Sequence, residues 1–281
     1  MRDAPRARRL FERFNPAFCI TGGLLALYLG RVAALYVLAR CFAGMGLNSE
    51  TYSTAPAWLR ALADLADTLA SSIGLALGCC TVIILKSGKT SIGRIKPRQW
   101  LFMPYGIAAG IGFVALLRAL DEIRFLPGRF TIDWIGCILW LCLSAFMALC
   151  LRGAFDVKAK LSVALTVSMV LQPLFAWYLM GSLDLMLTLN ALLYGCVSVL
   201  IYPSACSVLP EILLFYGYTL GHRVLSGYPA GRGFYVSANV LSGADAGLFA
   251  SILTTVPLAL MIAVLLPREM KHQKKSRGKL D

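Results

Sequence analysis

Charged residues are scarce in this chain. Asp, Glu, Lys and Arg make up 15% of its 281 residues, whereas about 25% is usual in soluble globular domains. Hydrophobic residues reach 58%, above the roughly 45–50% of such domains. So large an apolar excess favours lipid over water as the solvent. The composition therefore predicts an integral membrane protein and argues against a soluble domain.

Histidine and paired cysteines are also few. The two histidines are His222 and His272, so counting alone excludes a two-histidine catalytic centre or a histidine-based metal site within the bilayer. The nine cysteines include no Cys-x-x-Cys pair, and most lie in or beside apolar runs, where small buried hydrophobic residues are expected. A Gly-rich phosphate loop and a Gly-x-Ser-x-Gly nucleophile elbow are absent too. We therefore expect no metal and no cofactor.

Long apolar runs dominate what remains. A helix needs about 20 apolar residues to cross a hydrocarbon layer of about 30 Å. Eight stretches qualify, of which the seventh is short: roughly 18–41, 65–85, 101–119, 133–152, 161–180, 185–202, 207–222 and 246–266. The sequence predicts an all-α integral membrane protein with about eight transmembrane helices in one bundle. The bundle (18–266) lies between a basic N-terminus (1–17) and a basic tail (267–281).

Lys and Arg are distributed unevenly between the loops. If the runs cross the bilayer in alternation, nineteen of the 27 basic residues fall on one side and six on the other. The positive-inside rule then places both termini in the cytoplasm, and we expect a multi-pass protein of the plasma membrane. Because loop topology explains the net charge of +13, the expected partner is the lipid bilayer and not nucleic acid.

Small residues and one proline are placed where helices pack or bend. Gly74-x-x-x-Gly78 and Gly106-x-x-x-Gly110 predict close approach between neighbouring helices. Pro173, which follows Gln172 in the middle of the fifth run, predicts a kink because it removes a backbone donor.

Among the charged residues of the apolar runs, Arg31, Arg152 and Glu211 are the candidates for a functional role. Arg31 fits a tilted helix with a snorkelling side chain, a side chain facing the bundle interior, or a shifted register of the span. Arg152, which ends the fourth run, is interpreted as a snorkelling cytoplasmic residue. Glu211 follows Pro210 and suits the positive end of a helix, but it also fits an ion-paired or substrate-facing carboxylate. Acidic residues at the edges of runs, including Asp67, are expected to be solvated helix ends.

The stretch from Leu149 to Leu220 resembles the CPBP family of intramembrane endopeptidases, the CAAX proteases and bacteriocin-processing enzymes. That family carries Glu-Glu-x-x-x-Arg, then Phe-x-x-x-His about two dozen residues later, then His-x-x-x-Asn. The similar runs are Leu151–Phe155, Phe175 at the expected spacing, Leu192–Gly195 with Tyr202, Ser207–Leu214 and the basic Ile92–Trp100. The resemblance places a CPBP-like core at about 133–222.

The family's catalytic side chains are not retained. The positions that match its motifs are Met147, Ala148, Arg152, Phe175, Leu179, Phe215 and Thr219. Met and Ala replace the two Glu, Leu and Phe replace the two His, and Thr replaces the Asn, whereas the Arg and the first Phe remain. Since Met, Ala, Leu and Phe cannot take or give a proton, the resemblance implies that no catalytic residue is left.

The same resemblance implies a central cavity. Its expected lining is Arg152, Glu211, Gln172, Phe175, Phe215 and Thr219. Glu211 and Phe215 are four residues apart, so on a helix they share a face. An Arg152–Glu211 ion pair across the cavity would compensate two charges that are otherwise expensive in lipid.

Three functions are compatible with these residues. The first is a non-catalytic relative with a binding or regulatory role for a lipid, a hydrophobic peptide or a partner helix. The second is a transporter or permease-like component, although Gln172, Asn190 and scattered Ser and Thr offer little polar lining. The third is an active CAAX-type protease with a rearranged site around Glu211. We favour the first, without proteolytic activity, because the spacing is kept while the acid and base positions are apolar.

Overall fold

The computed structural model describes residues 4–47, 50–86, 95–120, 123–125, 134–150, 161–180, 185–205, 207–224, 235–237 and 252–277. Its longer helices are α1 (Ala4–Gly44), α2 (Ala57–Asp64), α3 (Ala66–Leu85), α4 (Phe102–Ala119), α5 (Trp134–Ala148), α6 (Leu161–Met180), α7 (Leu185–Ala205), α8 (Leu209–Thr219) and α9 (Ile252–Arg277). Short 3-10 turns cover Tyr52–Thr54 and Pro97–Leu101, and a π turn, Leu220–Val224, follows α8. The predicted helical fold is confirmed in these residues.

Four helical segments in the described ranges are long and apolar enough to cross a membrane: Asn15–Gly44, Ala66–Leu85, Pro97–Ala119 and Ile252–Lys271. The shorter apolar segments are Trp134–Ala148, Leu161–Phe175 and Leu185–Ile201. Their length and composition are compatible with a membrane protein. The full set of eight spans and the orientation of the termini stay predictions.

Two helices extend well beyond the apolar runs that predicted them. α1 begins at Ala4, not near residue 18, and α9 continues to Arg277, not to about 266. The added segments are rich in Arg, Lys, Glu and Gln, which favour helix nearly as well as Leu does. Hydropathy marks where apolar side chains stop, whereas the helix stops where backbone propensity or a cap ends it.

The chain divides into two compact units, of which the first contains residues 1–91 and 133–150. Within it, α1 packs along α3 at small residues. A Cβ atom on Gly74 would lie 2.5 Å from the Leu27 carbonyl oxygen, and one on Gly78 would lie 3.0 Å from the Gly23 carbonyl oxygen. The close approach predicted from Gly74-x-x-x-Gly78 is therefore confirmed.

Arg31 forms an ion pair in this first unit. One of its guanidinium nitrogens lies 2.7 Å from the carboxylate Oδ1 of Asp67, in the first turn of α3. Arg31 thus points towards α3, and Asp67 is the exposed helix end that was predicted, with an ion pair in addition. The sequence could not anticipate this contact because the partners are 36 residues apart.

The second unit contains residues 92–132 and 151–281, and α8 lies against α4 with their backbones in contact. A Cβ atom on Gly106 or Gly110 would lie 2.4 Å or 2.3 Å from a carbonyl oxygen of α8. Reciprocally, Cβ atoms on Gly217 and Gly221 would each lie 2.3 Å from a carbonyl oxygen of α4. Two Gly-x-x-x-Gly pairs therefore interlock. The sequence predicted the pair on α4 and missed its partner, which runs from Gly217 in α8 to Gly221 in the π turn.

The rest of the second unit encloses α8 and α7. All residues from Leu209 to Thr219 are buried or partly buried. α6 and α9 both pack against α7, through apolar clusters that include Val199, Ile201 and Leu258. A small antiparallel ribbon, which the sequence did not predict, pairs β1 (Ile123–Phe125) with β2 (Tyr235–Ser237). The fold thus positions α8 as an enclosed helix.

Candidate functional site: a buried polar centre in the second unit

The positions that match the protease motifs fall in different parts of the chain. Met147 and Ala148 are buried at the end of α5, in the first unit. Phe175, Phe215 and Thr219 are buried in the second unit. Arg152 and the side chain of Leu179 lie outside the described residues.

Glu211 lies at the start of α8, in the first turn and directly after Pro210. Its side chain is buried, with 4% of the residue's surface exposed. The Ser198 hydroxyl donates a hydrogen bond of 2.6 Å to the Glu211 carboxylate Oε1 from the neighbouring helix α7. The positive end of α8 further favours a carboxylate at this position. A buried acidic group is thus held between two helices.

Two aromatic rings lie one helical turn from this hydrogen bond. Tyr194, four residues before Ser198 on α7, packs on Phe215, four residues after Glu211 on α8, with ring centroids 5.1 Å apart. Tyr194 also shares a side-chain hydrogen bond with Ser198. These four side chains form what we call the polar centre: Tyr194, Ser198, Glu211 and Phe215.

Thr219 completes the predicted face of α8 without adding a polar group to the centre. Residues 211, 215 and 219 recur every four positions, so they share a face. The Thr219 hydroxyl, however, donates to the carbonyl oxygen of Phe215 in its own helix, at 2.9 Å. Thr219 therefore does not supply the amide chemistry of the Asn that the family carries there.

Gln172 lies on α6, where this helix crosses α7. The Ser168 hydroxyl donates to the Gly195 carbonyl oxygen at 2.7 Å, and a Cβ atom on Gly195 would lie 3.0 Å from the Gln172 Cγ. Only 2% of Gln172 is exposed. Gly195 and Ser198 are three residues apart on α7, so the faces that meet α6 and α8 adjoin. Gln172 therefore packs against α7 at Gly195, about one helical turn before Ser198.

Other buried polar side chains of this unit are used in packing. The Thr255 hydroxyl of α9 donates to Asn190 Oδ1 of α7 at 2.7 Å. His222, in the π turn, packs between Phe113 of α4 and Tyr218, with ring centroids at 5.4 Å and 5.7 Å. These contacts join α7 to α9 and α4 to the end of α8.

Sequence reasoning named Glu211, Gln172 and Phe215 as candidate residues, and all three are buried; it did not name Ser198 or Ser168. A serine in an apolar helix commonly donates to the carbonyl four residues earlier, as Ser144 does to Trp140. Ser198 instead donates to a side chain on α8, and Ser168 donates to a backbone carbonyl oxygen on α7. The sequence contains no signal that separates these two uses.

The polar centre contains no histidine. Protease chemistry needs a second proton-transferring group within hydrogen-bond reach of the base, and at the family's His position lies Phe215. His222 is eleven residues from Glu211, which corresponds to about 16 Å along a helix. Within the described ranges, no group of three or more His, Cys, Asp or Glu side chains could hold a metal ion.

Comparison of the chain with family models, curated proteins and solved structures returns no match.

Proposed function

We propose that this chain is a non-catalytic relative of the CPBP intramembrane proteases that binds a hydrophobic ligand at the polar centre of its second unit. In this proposal the protein crosses the plasma membrane eight times, with both termini in the cytoplasm. A lipid, a hydrophobic peptide or a partner helix is the class of ligand, and the role is binding or regulation.

The observation that carries the proposal is the buried Glu211–Ser198 hydrogen bond. A carboxylate enclosed in an apolar bundle is expensive to keep, and such groups within membrane helices mark functional sites by default. Here it lies on the same face of α8 as two of the positions where the family resemblance expects catalytic side chains, Phe215 and Thr219. Phe215 cannot transfer a proton, so the retained polar groups support recognition and not hydrolysis.

The proteolytic alternative makes a distinct prediction. The purified full-length protein in nanodiscs is expected to leave a fluorogenic CAAX-type lipopeptide uncut, at the rate of empty nanodiscs. Glu211→Gln is expected to leave that background unchanged, because Phe215 occupies the family's His position and cannot transfer a proton. Cleavage by the native chain that Glu211→Gln abolishes would establish an active, rearranged protease and end the proposal.

Binding is tested on the same preparation by native mass spectrometry. We expect a hydrophobic molecule to remain bound after detergent extraction, and Ser198→Ala to lower the bound fraction several-fold. The matched control is Ser144→Ala, which removes a hydroxyl that donates within its own helix in the first unit. Equal retention in both variants would contradict binding at the polar centre.

The membrane topology makes a prediction of its own. A fluorescent protein fused after Asp281 is expected to fluoresce in a bacterial host, whereas alkaline phosphatase at the same position is expected to be inactive, because both ends face the cytoplasm. Fusions at Met1 should give the same result. An active phosphatase at either end would contradict the even number of spans or their orientation.

A further inference from the structure

The short helix α2, in the first unit, has one apolar face that is covered and another that is exposed. Leu59 and Ala63 lie four residues apart and share a face, which packs in a cluster with Phe42 near the end of α1. Trp58 and Leu62 share the next face, and they are 63% and 36% exposed. The exposed apolar face is therefore separate from the one that holds α2 against α1.

The third face of α2 is charged. It contains Arg60 and Asp64, which are again four residues apart. The Tyr52 hydroxyl, in the 3-10 turn that precedes α2, donates a hydrogen bond to the Asp64 carboxylate. The eight residues of α2 correspond to about 12 Å, too short to cross a membrane. An amphipathic helix of this kind can contact lipid only by lying at the membrane surface.

The neighbouring helix α3 shows where that surface is. The residues from 68 to 85 carry no charge, whereas Asp67 precedes them and Lys86 follows them. This stretch corresponds to about 27 Å of helix, close to the thickness of about 30 Å of a hydrocarbon layer. If α3 crosses the membrane, Asp67 therefore lies at one surface.

α1 is longer than this layer and extends past the start of α3. Its apolar segment Asn15–Gly44 has 30 residues, which corresponds to about 45 Å. A Cβ atom on Gly22 would lie 2.6 Å from the Leu85 side chain at the end of α3, and Arg31 bonds Asp67 at its start. The last turns of α1 lie beyond this ion pair and pack with α2. α2 is thus adjacent to the point where the charge-free part of α3 begins.

Aromatic and basic side chains lie at the same end of the unit. The Arg40 Nε donates to the Tyr36 hydroxyl at 3.2 Å, and the guanidinium carbon lies 5.2 Å from the centre of the Tyr36 ring. Tyr36 is exposed, as Trp58 is. Trp and Tyr are enriched where a membrane meets water, and an Arg there extends its charged group towards water. The side chains around α2 therefore suit the headgroup layer.

We propose that α2 is an interfacial anchor that lies in the membrane surface at the C-terminal end of α1. Trp58 and Leu62 insert between the headgroups and the first part of the acyl chains, and Arg60 and Asp64 face water. The partner of this exposed face is the lipid layer. The inference rests on the membrane placement in the proposed function and is independent of the polar centre.

The test measures the depth of Trp58 in the full-length protein in nanodiscs. Its fluorescence is obtained as the difference between the native protein and Trp58→Phe. The nanodisc lipids are brominated either near the ester groups or near the chain ends. Because such helices lie at the boundary of headgroups and acyl chains, we expect emission at short wavelength and about twofold stronger quenching by the shallow bromines. Acrylamide in the water should quench weakly.

Three results would overturn the inference. Emission at long wavelength with strong quenching by acrylamide would place Trp58 in water. Stronger quenching by the deep bromines would place it in the hydrocarbon layer. Emission at short wavelength that neither bromines nor acrylamide quench would mean that protein, such as a second copy of the chain, covers this face.

Leu62→Gln tests the face, and Ala61→Gln is the matched control. Both residues are exposed on α2, but Ala61 lies outside the face formed by Trp58 and Leu62. Leu62→Gln is expected to shift the Trp58 emission to longer wavelength and to weaken quenching by the shallow bromines, whereas Ala61→Gln should change neither. Each variant is compared with its own Trp58→Phe reference and must elute as monodisperse protein. Equal effects of the two substitutions would contradict an inserted face.

The same experiment separates this inference from the membrane placement on which it rests. Trp58→Phe keeps four of the five tryptophans. Quenching of these by brominated lipid, without quenching of Trp58, would contradict the anchor and leave the membrane placement standing. Absence of quenching of all five would contradict both.

Discussion

Gly110→Ala is expected to prevent the second unit from reaching its native packing, whereas Gly112→Ala, two residues further along α4, is expected to be tolerated. A Cβ atom at position 110 would lie 2.3 Å from the Tyr218 carbonyl oxygen and 2.8 Å from the His222 backbone nitrogen. These are backbone atoms, so no side-chain rotation relieves the clash and the two helices must separate. Overpacking commonly costs about 1–3 kcal/mol, and we expect the upper end or more.

The control is matched in chemistry and position. A Cβ atom on Gly112 meets nothing within 4 Å, and Ala is favoured over Gly in a helix by about 1 kcal/mol. Size-exclusion chromatography and thermal unfolding of the detergent-solubilised variants measure the difference. Equal melting temperatures would show that α4 and α8 do not pack backbone to backbone.

This interlock also shows what sequence reasoning can find in a membrane protein. Gly106-x-x-x-Gly110 predicted a close approach because the spacing places two small residues on one helix face. The spacing does not name the partner helix. Gly217-x-x-x-Gly221 has the same spacing but lies at the end of the shortest apolar run, where hydropathy gives no firm helix boundary.

The candidate site, too, could be predicted only in part from the sequence. The family resemblance named Glu211 and Gln172 as cavity-lining residues, and both are buried. The contacts of Ser198 and Tyr194 could not be predicted, because they depend on how α7 is rotated about its axis relative to α6 and α8. Helix rotation depends on packing across the bundle, as the Arg31–Asp67 pair shows for the first unit, and local patterns do not encode it.

The second large effect concerns the charge of Glu211. Glu211→Arg is expected to abolish folding, because it replaces a buried carboxylate with a cation where Ser198 already donates a hydrogen bond. Arg152 lies outside the described residues, and the family resemblance predicts it as the partner cation. Breaking a buried pair costs about 3–5 kcal/mol, so Arg152→Glu is expected to be equally damaging.

Restored folding in the double variant is the decisive result. Arg152→Glu combined with Glu211→Arg recreates the pair with opposite polarity, and monodisperse protein should return in size-exclusion chromatography. Arg118→Glu, which reverses an exposed arginine at the end of α4, should not rescue Glu211→Arg. Additive damage in the double variant would mean that the two residues do not meet. In that case, only the hydrogen bond from Ser198 and the positive end of α8 would stabilise the Glu211 carboxylate.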